Sequence, residues 1–235
     1  MVVDSILLPF PRPAIAWPYA LISAANLIDS TWTLAIDRAD QAGGELARSL
    51  LDSQAGHRPV VLVGFSMGAR VIYSCLKELA IHQKIWEKQQ EIIARLSKEE
   101  KRRFKRKNDK TVVYLREPAS IIEDVILMGT PNHISLHSWE ACRRVVAGRL
   151  INCYSRNDLI LSLMFQFKRL AGALRPVCGT SPVNVPGVEN FDVSSLISSH
   201  TEYCLAAGNI LHHVRHGQPH MQSFFDSNVI WATKS

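Results

Sequence analysis

Short apolar runs alternate with longer stretches of helical periodicity along most of this sequence. The run Val60-Val61-Leu62-Val63 has no polar alternation, which is typical of a strand covered on both faces of a parallel sheet. Similar runs predict strands at residues 111–115, 125–128 and 149–154, and a short last strand at 191–193. Apolar positions at helical spacing predict the helices between them, over residues 32–51, 69–80, 138–146, 159–174 and 201–213. This alternation predicts an α/β fold with a mostly parallel sheet flanked by helices.

The ends of the chain differ from this pattern. Ala14 to Ile28 is uncharged and mostly apolar, but it is shorter than the roughly 20 residues that span a bilayer. The prolines before it break any longer helix, and the start lacks the early basic residues of a signal peptide. We expect a buried or membrane-surface helix there, in preference to a transmembrane span. The predicted organisation is a hydrophobic, irregular segment at 1–29, an α/β domain at 30–215 and a polar tail at 216–235.

The net charge of +6 belongs to one segment of the chain. Lys84 to Lys110 holds 11 basic and 5 acidic residues, which leaves 16 basic and 16 acidic residues elsewhere. This composition predicts a basic insertion at 83–110, partly helical and ending in a solvated loop. Contact between Lys101–Lys110 and an anionic membrane surface is the second interpretation. Nucleic acid comes last, because Phe104 is the only aromatic residue there to stack on a base.

The remaining composition is that of an ordinary globular protein. At 47% hydrophobic and 20% charged residues, the chain is neither disordered nor a small disulfide-stapled scaffold. The five cysteines are widely spaced, with no CxxC pair, so neither a zinc site nor a disulfide framework is indicated. We expect a reducing, intracellular environment and no metal or cofactor.

Gly64-Phe65-Ser66-Met67-Gly68 matches the GxSxG pattern of a nucleophile elbow. The pattern alone is weak, but here it falls between a predicted buried strand and a predicted helix, which is the context the chemistry needs. A sharp turn would lift the Ser66 hydroxyl clear of the sheet, and Gly64 and Gly68 would allow close packing of strand and helix. The Met67 amide would then face a developing oxyanion. The alternative is a glycine-rich turn with only a packing role.

An elbow serine needs an acid and a histidine later in the chain. Asp158 follows the predicted strand 149–154, at the sheet edge where parallel sheets place their sites; its alternative role is an N-cap for the next helix. His200 lies just before the last predicted helix, where it would take the proton from Ser66. Asp192 is the reserve acid, and Asp124 is poorer because it begins a strand. Six other histidines break the chain order or fall in the last helix and tail: His133, His137, His212, His213, His216 and His220.

A second oxyanion donor is not visible in the sequence. It normally comes from a loop after an earlier strand, and the roughly 60 residues before Val60 contain no HGGG-like stretch. We therefore expect either a donor from the N-terminal region or an N-terminally reduced copy of a longer protein.

Four blocks of this sequence resemble one protein family: RPVVLVGFSMGARVIYSCLKELA, IIEDVILMGTP, GRLINCYSRNDLIL and GVENFDVSSLISSHTEYC. The family is the transmembrane and coiled-coil domain-containing protein 4 family, a group of unknown function with an α/β-hydrolase-like fold. The resemblance runs from about Ala20 to Val214, interrupted by the basic insertion. It implies that Ser66, Asp158 and His200 occupy the hydrolase triad positions, and that the protein is membrane-associated.

Two functions fit these features. The first is a serine hydrolase of the esterase or lipase kind, which would form an acyl-enzyme on Ser66 and act on an acyl or lipid-like substrate. The second is a non-catalytic trafficking or scaffold protein that keeps the hydrolase fold. Ser66, Asp158 and His200 favour the enzyme, whereas the missing oxyanion loop favours the scaffold.

Overall fold

The structure, a computed structural model, describes residues 13–52, 58–95, 116–167, 176–216 and 229–232. The predicted strand at 111–115 and the basic residues from Lys101 to Lys110 lie outside these ranges, as does the end of the helix predicted at 159–174. Residues 39–235 form one compact unit, which contains the sheet. Residues 1–38 form a separate unit, and residues 13–38 of it are helical throughout.

The described residues form five strands, five α-helices and two short 3₁₀ turns. The strands are β1 Val60–Phe65, β2 Ile122–Met128, β3 Leu150–Tyr154, β4 Val188–Asp192 and β5 Val229–Ala232. The helices are α1 Pro13–Leu51, α2 Met67–Arg95, α3 Leu136–Arg143, α4 Leu159–Phe167 and α5 Tyr203–His216. The 3₁₀ turns are Pro118–Ser120 and His200–Glu202. All strand pairs are parallel, in the order β4-β3-β2-β1-β5, which confirms the predicted α/β fold class.

The central strands are buried on both faces, as their unbroken apolar sequences predict. Leu62 and Leu127 belong to a core cluster that α2 and α3 cover on one side of the sheet. Val63 and Ile126, their neighbours in sequence, belong to a second cluster that α5 covers on the other side. Because successive residues of a strand point to opposite faces, both faces of β1 and β2 must be apolar. The result is a layer of helices on each face of one parallel sheet.

The strand β5 corrects the prediction for the end of the chain. The sequence pattern predicts the last strand at 191–193 and a polar tail at 216–235. In the structure, 191–193 corresponds to the end of β4, and Val229–Ala232 adds a parallel strand beside β1, with Val61 opposite Val229 and Gly64 opposite Ala232. Four residues among polar neighbours carry little periodic signal, so the free edge of β1 decides their structure.

The helix α2 extends well beyond its predicted end at residue 80, as far as Arg95. Its middle is fixed by Gln83, whose amide nitrogen donates to Glu117 at 3.2 Å and whose amide oxygen accepts the Ala119 N–H at 3.0 Å. The first part of the predicted insertion is therefore a regular continuation of the elbow helix. Among the helices that the structure describes, none is long and apolar enough to cross a membrane.

All five cysteines are free thiols. Burial raises the pKa of four of them, Cys75, Cys142, Cys153 and Cys178, to about 12. Because the thiolate is the nucleophilic form, these four thiols are poor nucleophiles at neutral pH. Within the described ranges, no group of three or more His, Cys, Asp or Glu side chains is arranged to hold a metal ion.

Candidate active site

Ser66 occupies a sharp turn between the end of β1 and the start of α2. Its φ of 51° lies in the left-handed region, and Ser66 is the only residue other than glycine with a positive φ among the described residues. A side chain costs about 1–2 kcal/mol in this conformation, so the surroundings must enforce it. The Ser66 N–H donates to the Met128 carbonyl at 2.9 Å, and the Ser66 carbonyl accepts the Arg70 N–H at 3.1 Å. Neighbouring strand and following helix thus fix the backbone on both sides of the hydroxyl.

Gly64 allows α2 to pack closely against β1 at this turn. A Cβ at position 64 would lie 2.9 Å from the Ala69 backbone nitrogen and 2.7 Å from Ile72 Cδ1. Both distances are shorter than van der Waals contact, and the Ala69 nitrogen is part of a helix backbone that cannot swing aside. The first glycine of the motif is therefore required by packing.

The structure brings together the three side chains that the sequence singles out. His200 Nε2 lies 2.7 Å from Ser66 Oγ, and His200 Nδ1 lies 2.6 Å from Asp158 Oδ2. A carboxylate only accepts hydrogen bonds, so Nδ1 carries the ring hydrogen and Nε2 is the atom that can take the Ser66 proton. The Asp158 side chain is fully buried and that of His200 is 14% exposed. The order in the chain is serine, acid, histidine.

Asp158 makes both of the contacts that its sequence position suggested. Its Oδ1 accepts the Leu161 N–H at 2.9 Å, and its backbone carbonyl accepts the Ser162 N–H at 3.0 Å, as an N-cap residue does for the helix that follows. Its Oδ2 faces His200 at the same time. The N-cap bond therefore fixes the carboxylate orientation that the histidine needs.

The alternative acids and two of the alternative histidines have other partners. Asp124 accepts the Arg149 N–H at the start of β3, and Asp192 pairs with Arg156 at 3.2 Å and with the hydroxyl of Ser194. Two of the other histidines stack edge-on against phenylalanines, with His133 on Phe165 and His213 on Phe191. His220 lies outside the described residues.

Tyr203 and Gly129 support His200, and sequence reasoning did not single them out. The buried Tyr203 ring meets the imidazole of His200 edge-on, at 5.9 Å between centroids. A Cβ at Gly129 would lie 2.7 Å from that ring, and the φ of Gly129 is 56°. Both positions fall inside blocks that carry the family resemblance, which is the signal that could have found them.

Arg70 anchors the elbow to two other parts of the chain, a role with no signature in the sequence. Its guanidinium, 15% exposed, donates to the Asp40 carboxylate through Nε at 3.1 Å and Nη2 at 2.6 Å. Its Nη1 donates to the Pro131 carbonyl at 3.1 Å and to the Asn132 side-chain oxygen. Arg70 therefore ties α1 and the loop after β2 to the first turn of α2.

The ion pair at Arg70 predicts a stability change in acid. Burial raises the pKa of Asp40, but the hydrogen bonds from Arg70 and Ser74 and the Arg70 charge outweigh it, so this pKa lies below its ordinary value of 3.8. The stabilisation is present above that value and is lost as the pH falls through the lower pKa of the folded state. We expect Asp40→Asn to lower the free energy of unfolding at pH 7 and to flatten its dependence on pH below about 4. Urea unfolding at pH 7 and pH 3 measures both.

The control for this prediction is a double-mutant cycle with Arg70→Met. Because Arg70 donates several hydrogen bonds to charged or carbonyl groups, its loss alone should cost on the order of 2 kcal/mol. The cost of Asp40→Asn should shrink once Arg70 is absent. Additive effects would mean that the pair contributes no coupling energy.

The parallel sheet, the serine at a strand–helix turn, and the acid and histidine after β3 and β4 together define an α/β-hydrolase-like fold. The chain belongs to the family described as Protein of unknown function (DUF726), whose family model matches residues 4–93 and 111–217. Residues 94–110, which hold the most basic part of the predicted insertion, lie between the two matched blocks. No solved structure shows a significant match.

Several curated proteins are similar to this chain over most of its length. A rice protein named Transmembrane and coiled-coil domain-containing protein STS1 is 40% identical over 86% of this chain and 25% of its own length. An uncharacterized membrane protein of Schizosaccharomyces pombe is 36% identical over 86% and 22%. A Saccharomyces cerevisiae protein named Probable lipase MIL1 is 33% identical over 81% and 14%. The chain thus spans a quarter or less of these relatives.

Proposed function

We propose that this domain is a serine hydrolase that cleaves ester bonds through an acyl-enzyme on Ser66. The observation that carries this proposal is the hydrogen-bonded row from Asp158 through His200 to Ser66, at 2.6 and 2.7 Å. Nucleophilic catalysis needs such a base, because a serine hydroxyl is a weak nucleophile until its proton is taken. The strained turn at Ser66 presents that hydroxyl to His200.

The geometry supports the following steps. Ser66 Oγ attacks the acyl carbon as its proton moves to His200 Nε2, and Asp158 stabilises the imidazolium through Nδ1–H. Met67 is the first residue of α2, so its N–H is among those with no partner inside the helix and is suited to the oxyanion. The ester bond then breaks, and the leaving alcohol takes the proton from Nε2. Water then attacks the acyl carbon as its proton moves to His200 Nε2. The bond between the acyl carbon and Ser66 Oγ breaks, and Oγ takes the proton from Nε2, which releases the acid and restores Ser66.

An acyl or lipid-like compound is the substrate class that we favour. The Saccharomyces cerevisiae relative is named a probable lipase, and the Schizosaccharomyces pombe relative is named a membrane protein. We extend both properties to this chain as a proposal, together with placement in the transmembrane and coiled-coil domain-containing protein 4 branch of the family. The basic residues from Lys101 to Lys110 would add contact with an anionic membrane surface.

A non-catalytic scaffold is the second candidate. It is favoured by one observation, the lack of an HGGG-like stretch before β1 that would supply the second oxyanion donor. A domain with only one oxyanion donor would keep the fold and the hydrogen bonds among Asp158, His200 and Ser66, but it would not turn over substrate efficiently.

Labelling with a fluorophosphonate probe separates the two candidates. We expect the wild-type chain to be labelled and Ser66→Ala to be unlabelled, because the probe reacts only with an activated serine. Ser195→Ala, at an exposed serine on the loop before His200, is the matched control and should label like the wild type. A folded wild-type protein that takes no label, or a Ser66→Ala protein that labels equally, would contradict the enzyme and support the scaffold.

A further inference from the structure

Large apolar side chains are exposed around the candidate active site. Ten such side chains are exposed among the described residues, and five of them lie on α4, which Asp158 caps, on α5, which follows the turn His200–Glu202, or on the loop between β4 and His200. We call these five the apolar rim: Leu159, Ile160, Leu163, Leu196 and Leu205. Exposed apolar residues gathered at one site indicate an interaction surface, whereas scattered ones do not.

The helix α4 is apolar on both its sides. Leu161 and Phe165 face the core at 1% and 7% exposure, whereas Leu159 and Leu163 are 68% and 48% exposed. The sequence LILSLMFQF contains no charged residue. A surface helix normally turns a charged or polar face to water, so the outer face of α4 is suited to an apolar neighbour.

The apolar rim is continuous with the site. Asp158 caps α4 and holds His200, and α4 packs against the 3₁₀ turn His200–Glu202. The loop that carries Leu196 is tied to the loop before α4, because Asn157 Nδ2 donates to the Ser194 carbonyl at 2.9 Å. Leu205 follows in the first turn of α5 and is 88% exposed. The α4 part of the rim therefore adjoins Asp158 and the turn that carries His200.

We propose that the apolar rim docks this domain onto the surface of a phospholipid bilayer, so that Ser66 receives ester bonds of lipids from that surface. The inference rests on the proposed function and names its substrate class more closely. A bilayer would both cover these exposed apolar side chains and present lipid ester bonds next to the residues that hold His200.

The sequence that follows α4 agrees with a lipid occupant. The sequence continues directly after Phe167 with Lys168 and Arg169. Apolar side chains followed by cations suit the boundary between acyl chains and anionic headgroups, because the cations gain from the phosphates while the apolar face leaves water.

The test compares two double variants of the whole chain. Leu159→Gln/Leu163→Gln removes the outer face of α4 and keeps good helix formers there. Ile85→Gln/Ile92→Gln is the matched control, since both isoleucines are exposed and lie on α2, which carries none of the rim residues. Vesicles of phosphatidylcholine with one-third phosphatidylserine measure binding by flotation. Fluorophosphonate labelling and turnover of a water-soluble acetate ester measure the triad itself.

We expect the α4 variant to lose about tenfold or more in vesicle partitioning, and the α2 variant to bind like the wild type. Labelling and soluble-ester turnover should stay within twofold of wild type in both. Equal vesicle binding by the α4 variant and wild type, or an equal loss in the α2 variant, would overturn the proposal. So would a loss of self-association without any change in vesicle binding, which would make a second copy the occupant. Absence of labelling in a wild-type chain that still binds vesicles through α4 would contradict the proposed function alone.

Discussion

Asp158→Asn should lower the rate of fluorophosphonate modification and of ester turnover by about 10³–10⁴-fold while the domain stays folded. Asparagine is as good an N-cap as aspartate, so its side-chain oxygen can still accept the Leu161 N–H and hold α4. Its other terminal atom is an NH₂ group, which cannot accept the hydrogen on His200 Nδ1. The imidazole would then favour the tautomer that cannot take the Ser66 proton. Probe kinetics per folded protein, with circular dichroism, give the measurement.

Two further variants distinguish an effect on catalysis from an effect on the N-cap of α4. Asp158→Ala should show the same loss of rate and should also lose about 1 kcal/mol of stability, because the cap disappears. Asp124→Asn changes another buried carboxylate, which accepts the Arg149 N–H and has no contact with His200 or Ser66 among those described. This variant should leave the rate within twofold of wild type. A wild-type rate in Asp158→Asn would show that the carboxylate near His200 has no part in activating Ser66.

Gly64→Ala should destabilise the domain by about 3 kcal/mol, because the added methyl group meets the backbone of α2 and the Ile72 side chain. Relief would require moving α2 away from β1, which would also displace Ser66. Chemical denaturation measures the loss in free energy of unfolding, and the labelling rate of the remaining folded protein reports the displaced serine.

The matched control is Gly208→Ala in α5. A Cβ at position 208 has no heavy atom within 4 Å, so the only effect is the better helix propensity of alanine, a gain of about 1 kcal/mol. Opposite signs for the two glycines would attribute the Gly64 effect to close packing. A similar loss in the free energy of unfolding at both positions would mean that close packing at Gly64 is not the cause.

The candidate site was predictable to the extent that it depends on local pattern and chain order. Strand β1 has an unbroken β-branched sequence, so its position before Ser66 follows from the sequence. In a parallel sheet the residues after each strand gather at one edge, which is why Asp158 after β3 could be expected near the serine. The same rule could not rank Asp158 above Asp192, since Asp192 ends β4 and so lies at the same edge of the sheet. Only the packed loops show that Asp192 turns to Arg156 and Ser194.

The supporting contacts depend on residues that are far apart in the sequence. Asp40 and Arg70 are separated by 30 residues, and nothing in either neighbourhood predicts that they pair. Gly129 needs its small size because Tyr203 fills the space beside it, which is a property of the pair. Such contacts depend on how helices and loops pack on the sheet, and many packings are compatible with one local pattern.

The sequence by itself determined the α/β class, the strand–serine–helix turn and the order serine, acid, histidine. These features depend on residue type, on local periodicity and on order along the chain, and none of these requires knowledge of how the elements pack. The tertiary structure decided the rest: β5 pairs with the free edge of β1, α2 continues to Arg95, and Arg70 clamps the elbow. It also decided which side of α4 faces water, because an uncharged and mostly apolar helix has no strongly preferred face until the core covers one of them.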